Sequence, residues 1–325
     1  MIISLIIPVF NSEKYLFDCL GSVFKQMNKD VELIIINDGS NDSSDSLINC
    51  FEKKLPYQLR DNFISIRQKN KGVSYCRNLG ISLSKGRYIA FLDADDTLEE
   101  NFFEKIISQI NINHPDIIQF NFNFWSNKKV KSGIDLKSGL KETSFELFLE
   151  VFNWNSWYPW SRVYKKELFS NHQFPIGYTF EDPAVIPFLF LKSKTIFILD
   201  EYLYNYRDNP SSITRGVNKE KIYKNMISLD CLLSTYLAQN HILFKVCFIH
   251  FFRIYLDYCF KYGGVKSLRE GWSEYSCYYY NISRKNTKII QSKAGRLFIC
   301  VSFLSYFSYF IVKFASNVMS FLKNK

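Results

Sequence analysis

The sequence predicts an α/β protein: a mostly parallel sheet flanked by helices, followed by a helical, basic C-terminal extension. Three observations carry that expectation. Short, almost wholly apolar runs alternate with amphipathic helical patterns through the first 120 residues. Such strands are those of a parallel sheet covered on both faces. Polar clusters follow several of these runs, where open α/β sheets place their ligands. The charge is split along the chain: Lys and Arg stand to Asp and Glu as 25 to 26 in residues 1–215, but as 16 to 5 in residues 216–325. With 325 residues, 47% hydrophobic and 22% charged, the chain can bury a sizeable core. Disordered and low-complexity classes are excluded.

Residues 2–7 are apolar but for Ser4 and stop at Pro8, which reads as the first strand. Asn11 or Ser12 can cap a helix with Leu16, Leu20, Val23 and Phe24 on one face. Residues 31–36 form the second strand, Asn37-Asp38-Gly39-Ser40 a turn, and 42–51 a helix. A third strand at 63–66 precedes a helix at 73–83, with Gly86 as a stop. The fourth strand, 88–92, runs into Asp93-Ala94-Asp95-Asp96; a helix at 98–110 and a strand at 116–124 follow. Residues 128–139 read as a polar loop, 145–152 and 184–191 as helices, and 195–206 as a strand or hairpin. The first domain is expected to span 1–215 and the extension 216–325, with two aromatic-rich helices over 217–262.

The basic extension calls for an anionic partner. Its residues 297–312 carry no charge and are bracketed by Arg296 and Lys313. Sixteen residues fall short of the roughly 17–25 that span a bilayer. Basic flanks with Phe and Tyr suit a tail, 295–325, lying in the membrane interface. A buried helix or a homodimer contact is the alternative. No nucleic-acid motif is present, so nucleic acid is not expected as a partner. The eight Cys include no CxxC pair and read as small buried hydrophobes in a reducing compartment, and the four His lack metal-ligand spacing. Met1 leads straight into the first strand without a basic, cleavable leader, so a cytoplasmic location on the inner face of the membrane is expected.

Carboxylates one residue apart, as in Asp93-Ala94-Asp95-Asp96, can project from a tight turn toward one Mg²⁺ or Mn²⁺ and bridge it to phosphate. A solvated helix-capping turn is the alternative. Asp38, after a buried strand and beside Gly39, can accept from a base N–H or serve as an ordinary cap. Arg77, beside Asn78, can meet a phosphate or stack on a base, or be a surface cation. Glu181-Asp182 opens a helix, where a carboxylate is either a cap or a general base.

Taken in order, these blocks resemble the family 2 glycosyltransferases, with their GT-A, Rossmann-like fold. The resemblance runs through Ser4-Leu5-Ile6-Ile7-Pro8-Val9-Phe10-Asn11, Glu32-Leu33-Ile34-Ile35-Ile36-Asn37-Asp38-Gly39-Ser40, Asn70-Lys71-Gly72 and Arg77-Asn78. It continues through Gly86-Arg87-Tyr88-Ile89-Ala90-Phe91-Leu92-Asp93-Ala94-Asp95-Asp96 and, more weakly, Trp160-Ser161-Arg162-Val163-Tyr164-Lys165-Lys166, Phe180-Glu181-Asp182 and residues 204–214, covering about residues 1–215. Asn37 stands where the family usually has a first Asp; the second acid, Asp38, is kept.

The resemblance implies an inverting transfer from a nucleotide-sugar donor, probed first as a UDP-sugar, to a lipid-linked or glycan acceptor of a capsule or O-antigen type. It implies that Pro8, Phe10, Asn11 and Glu13 border the nucleotide, Asp38 accepts from the base and Arg77 packs beside it. Asp93 would hold the ribose or donor sugar and Asp95 the Mn²⁺ or Mg²⁺. Asp182 would be the catalytic base, with Glu181 the second choice. Trp157, Trp160 and Arg162 would line the acceptor side, with a core cluster as the alternative, and Arg207 or Arg215 would reach the diphosphate. Two rivals are a sugar nucleotidyltransferase and an inactive membrane-associated scaffold of the same fold. The missing Gly-rich phosphate loop after the first strand weighs against the former; the carboxylates at 38, 93, 95 and 182 weigh against the latter.

Overall fold

A computed structural model describes residues 1–125, 129–134, 136–152, 157–209 and 218–285. The chain divides into two compact units, Met1–Gly216 and Val217–Lys325. In chain order the first contains β1 (Ile3–Val9), α1 (Glu13–Phe24), β2 (Val31–Asn37), α2 (Ser44–Lys53), β3 (Phe63–Arg67), α3 (Val73–Leu83), β4 (Tyr88–Phe91) and β5 (Thr97–Leu98). Then come α4 (Phe102–Asn113), β6 (Ile117–Trp125), β7 (Lys129–Ser132), β8 (Gly139–Glu142), α5 (Phe145–Phe152), β9 (Arg162–Lys165), α6 (Glu181–Lys192) and β10 (Thr195–Arg207).

The main sheet order is β3-β2-β1-β4-β9-β6-β10-β5. β1, β2, β3 and β4 are mutually parallel, β9 runs against both β4 and β6, and β10 is parallel to β6. The carboxyl ends of β1, β2, β4, β6 and β10 therefore lie on one edge. The apolar runs explain the parallel part: every residue of β2 is buried, and β1 is buried but for Pro8. On α3, Gly80 lets the helix approach β1, because a Cβ there would lie 2.5 Å from the Ile6 side chain.

Two expectations change, and a third is settled between its two alternatives. The helix expected at 98–110 begins at Phe102, because Thr97 and Leu98 pair with Asn205 and Tyr204 of β10 instead. The apolar Leu98 extended the helical pattern by accident. The polar stretch 128–139 contains β7, which pairs with β6. Residues 195–207 form one long strand, not a hairpin, with its irregularity between Leu199 and Tyr204; Asp200 and Glu201 interrupt the apolar run there.

One buried carboxylate ties the sheet together. Glu32 on β2 is fully buried and accepts from the Ser4 hydroxyl and from the Lys85 amide, 2.8 Å away. Ser4 in turn accepts from the Gly86 amide at 2.9 Å, which fixes the turn into β4. Glu32→Ala should lower unfolding stability by about 2–4 kcal/mol, because it leaves buried donors unmatched. Denaturant unfolding checks this; a change within error would make the pair dispensable.

The second unit contains α7 (Lys219–Leu237) and α8 (Ile242–Lys285), the latter interrupted by non-helical geometry at Gly263 and Gly264. The helical region thus runs past the expected end at 262. Asn218 caps α7 by accepting from the Lys221 amide at 2.8 Å. After the break the chain folds back on itself, with Gly271 against Cys259 and Tyr255. Tyr275 donates to Asp230 of α7 at 2.6 Å. Burial and the charge of Arg253 push His250 down to about 4. Among the described residues no helix is long and apolar enough to cross a membrane; the tail 295–325 lies outside them.

Candidate active site

The common edge of the parallel strands collects most of the polar clusters. Asn11 follows β1, Asp38 follows β2, Asp93-Ala94-Asp95-Asp96 follows β4, and Arg207 ends β10. Since β1 lies between β2 and β4, Asp38 and Asp93 are two strand spacings apart, about 10 Å.

On the β1–β2 side the loops brace each other. Asn11, at φ +47°, accepts from the Asn41 amide at 2.8 Å, and its own amide donates to Ser40 at 3.0 Å. Glu13 braces the same loops: its carboxylate accepts from the Ser43 amide at 2.9 Å, and its amide donates to Asp42 at 2.9 Å. Burial favours the neutral form of Asp42, but its hydrogen bonds from Ser44 and Glu13 outweigh this and hold it below the usual range. Pro8 is half-buried in β1 and Phe10 is exposed at the edge. The unusual Asn37 donates to Asp45 at 2.8 Å and accepts from the Ser40 amide at 3.0 Å, so its amide holds the turn that a carboxylate could not hold in this way.

Asp38 is buried and accepts from Gln68 at 2.7 Å, the Lys71 amide at 2.9 Å and the Gly72 amide at 2.7 Å. It thereby fixes the loop leading into α3, with lone-pair capacity for one further donor. Gln68 was not singled out from the sequence; nothing local marks it as Asp38's partner.

In the acidic turn the four residues separate into distinct roles. Asp96 is buried; it accepts from the Tyr204 hydroxyl at 2.7 Å and the Arg207 amide at 2.7 Å. Burial, then the charges of Asp93 and Asp95, push its carboxyl well up. It anchors the turn to β10. Asp95 is half-buried, and one of its oxygens accepts from Asn209 at 2.9 Å. Among the described residues no group of three or more His, Cys, Asp or Glu is arranged as a metal cage. Asp95 fits a different mode, in which one carboxylate binds Mg²⁺ or Mn²⁺ and substrate phosphates and water complete the shell. Asp93 keeps 31% of its side chain exposed, and burial raises it, with Asp95 and Glu181 adding and Arg77 opposing.

Glu181 and Asp182 face this turn from the first turn of α6. The residue before them, Phe180, is held at φ +64°, a conformation uncommon outside glycine. Both acids sit at the positive end of the helix dipole. Arg77 does not occupy a base-stacking position. Its side chain is 4% exposed, and its guanidinium binds Asp182 at 2.8 Å, Glu181 at 3.1 Å and Asp93 at 3.3 Å. Burial removes Arg77 from water, while the three carboxylates together keep it charged. Asp182 retains 22% exposure. Burial raises its carboxyl well above the usual range; Arg77 opposes this, and Glu181 and Asp93 add to it.

The residues expected on the acceptor side are core. Arg162 is 0% exposed; it donates to the Tyr158 carbonyl at 2.7 Å and lies 5.0 Å from the Phe190 ring. Trp160 stacks on Tyr204 at 4.3 Å and on Tyr158 at 4.8 Å, and Trp157 stacks on Phe152 at 4.5 Å. The physical reason is topological: β9 is inserted between β4 and β6, deep in the sheet. Arg207 is committed to the acidic turn, with Nε donating to the Asp95 carbonyl at 3.0 Å and a terminal nitrogen to Asp18 at 3.0 Å. Arg215 lies outside the described residues. A separate cavity of about 840 Å³, lined by Lys85, Arg87 and Lys166 among others, opens at the amino end of β4 rather than at this edge.

A parallel sheet whose carboxyl edge gathers buried and half-buried polar groups places its ligand site at that edge. The description "Glycosyl transferase family 2" matches residues 4–177, and the chain belongs to that family. It is 31% identical over 229 residues to the glycosyltransferase GlyG of Streptococcus pneumoniae, covering 66% of this chain and 73% of GlyG. It is 29% identical over 228 residues to GlyA of the same organism, covering 66% of this chain but 31% of GlyA, so it spans less than a third of that relative. The fold is similar to that of S. aureus TarS residues 1–349, solved in complex with UDP-GlcNAc. That match has a TM-score of 0.63 and 18% identity, covering 90% of this chain and 81% of TarS. The protein is thus a family 2 glycosyltransferase with a GT-A fold.

Proposed function

We propose that the protein transfers a sugar, with inversion at the anomeric carbon, from a UDP-sugar to a hydroxyl of a lipid-linked or glycan acceptor of a surface polysaccharide. The observation that carries this reading is the placement of Asp182: a partly exposed carboxylate at a helix start, joined through Arg77 to Asp93 on the acidic turn. Asp182 removes the proton from the acceptor hydroxyl, which attacks C1 from the face opposite the diphosphate. Asp38, Pro8, Phe10 and Asn11 border the nucleotide, and Asp93 holds the ribose or the donor sugar. Asp95 would hold a Mn²⁺ or Mg²⁺, which when bound would supply positive charge beside the leaving diphosphate. TarS was solved with UDP-GlcNAc, which makes UDP the first nucleotide to test.

Calorimetric titration with UDP, GDP and dTDP, each with Mn²⁺ and with EDTA, tests the donor. Metal-dependent binding of UDP is expected; binding of GDP or dTDP alone would change the donor, and binding of none would favour the scaffold reading. Pyrophosphate rather than UDP as product would favour a nucleotidyltransferase.

The basic extension supports peripheral attachment to the cytoplasmic face of the membrane, beside a lipid-linked acceptor. The full chain should float with anionic vesicles, and a chain lacking residues 290–325 should not. Equal flotation would remove the tail from that role.

A further inference from the structure

Among the described residues, Arg77 touches both halves of the proposed site. Its NH1 lies 2.8 Å from Asp182 and 3.1 Å from Glu181, and its NH2 lies 3.3 Å from Asp93. Asp93 follows β4, whereas the other two acids open α6, 104 and 105 positions after Arg77. The guanidinium is locked from several directions. The Phe174 ring covers it at 5.3 Å. Asn78, the next residue, fixes that segment, donating to the Phe174 carbonyl at 2.8 Å and accepting from the Phe174 amide at 2.9 Å. Gly80 seats α3 against β1 one turn further on. The Arg77 Nε is buried without a partner, so both terminal nitrogens are spent on carboxylates at the cost of an unmatched donor.

We propose that Arg77 is the positioning residue of this site: a fixed guanidinium that aims the Asp182 carboxylate and ties it to the donor-side Asp93. The proposal rests on Asp182 being the base. It differs from a phosphate-binding or base-stacking role, because both terminal nitrogens already bind protein carboxylates. A lysine ammonium could supply the charge but not the planar fork that spans these acids.

The electrostatics agree with the geometry. Asp182 faces Glu181 on its own helix, Arg77 on α3 and Asp93 at the end of β4. It also feels Tyr158 in the segment before β9 and Arg162 and Tyr164 on β9. Burial and the two neighbouring acids favour the protonated form, and Arg77 opposes them. A base buried among acids needs such a cation to be ionised near neutral pH. The signs of two substitutions therefore differ. Arg77→Gln removes the opposing cation and moves the Asp182 titration up. Glu181→Gln removes a like charge and moves it down. An Arg77 side chain that merely filled space would leave the midpoint unmoved in Arg77→Gln.

The test is ¹³C NMR titration of the full chain labelled at the Asp side-chain carboxyl, with Asp182→Asn identifying the signal. Arg77→Gln should raise the Asp182 midpoint by at least about one pH unit, a tenfold change in its ionisation constant. Glu181→Gln should lower it. Arg77→Lys should stay nearer the wild type, yet still slow UDP release from UDP-GlcNAc with Mn²⁺, because charge is kept and the fork is lost. If Arg77→Gln fails to fold, the Arg77→Lys arm decides. An unmoved midpoint in Arg77→Gln, or undiminished UDP release in Arg77→Lys, overturns the proposal. Undiminished UDP release in Asp182→Asn would instead remove the base assignment and leave the titration result standing, so the two failures are distinguishable.

Discussion

Asp182→Asn is expected to lower the turnover of sugar transfer by a factor of about 10²–10⁴ while leaving UDP affinity within twofold. The amide keeps the shape and can still sit beside Arg77, but it cannot take a proton. The pH dependence gives the second signature. Burial, Glu181 and Asp93 raise the Asp182 carboxyl above its ordinary range, against the pull of Arg77. Only the ionised form acts as base, so the wild-type rate should rise with pH through a midpoint above the usual carboxylate value of about 3.9. In the variant that limb should vanish. The sign for stability is opposite: the folded protein holds this proton to higher pH than the unfolded chain does. This group's contribution therefore favours the folded state at low pH and declines as pH rises from the unfolded to the folded midpoint. Undiminished turnover, measured as UDP release with acceptor present, would exclude Asp182 as the base.

The parts of this architecture that the sequence exposes are those written in short range. Strands β1 and β2 are legible because nearly every residue in them is apolar, and the turns after them because their polar residues stand beside buried runs. The acidic turn is legible as a motif. What the motif does not contain is the pairing. Asp96 and Tyr204 lie 108 positions apart, and no spacing rule connects them. Arg77 looks like a surface cation on a helix because its three carboxylates come from β4 and from α6. Of the two readings of Trp157, Trp160 and Arg162, burial favours the core cluster for a related reason. Trp160 and Arg162 have the composition of a sugar-binding face, but the chain returns to insert β9 between β4 and β6, which turns that face inward. Composition reports what a residue can do; strand order decides whether it meets solvent.

Asp95→Ala should separate the metal-dependent part of donor binding from the rest. Asp95 is held in place by contacts that do not need a ligand: Asn209 donates to its carboxylate at 2.9 Å, and Arg207 Nε donates to its carbonyl at 3.0 Å. The substitution removes the carboxylate, while Asp96 still anchors the turn through Tyr204 and the Arg207 amide. With Mn²⁺ present, UDP affinity should fall by about 10–100-fold, the range of one charge-assisted contact. With EDTA, wild type and variant should bind UDP alike. Asp38→Ala makes the opposite pattern: it releases Gln68 and the Lys71 and Gly72 amides, so affinity should fall in both conditions. Two acids at the same sheet edge would then differ only in their response to chelation. If Asp95→Ala loses affinity equally with and without Mn²⁺, the residue shapes the nucleotide pocket directly and the metal belongs elsewhere.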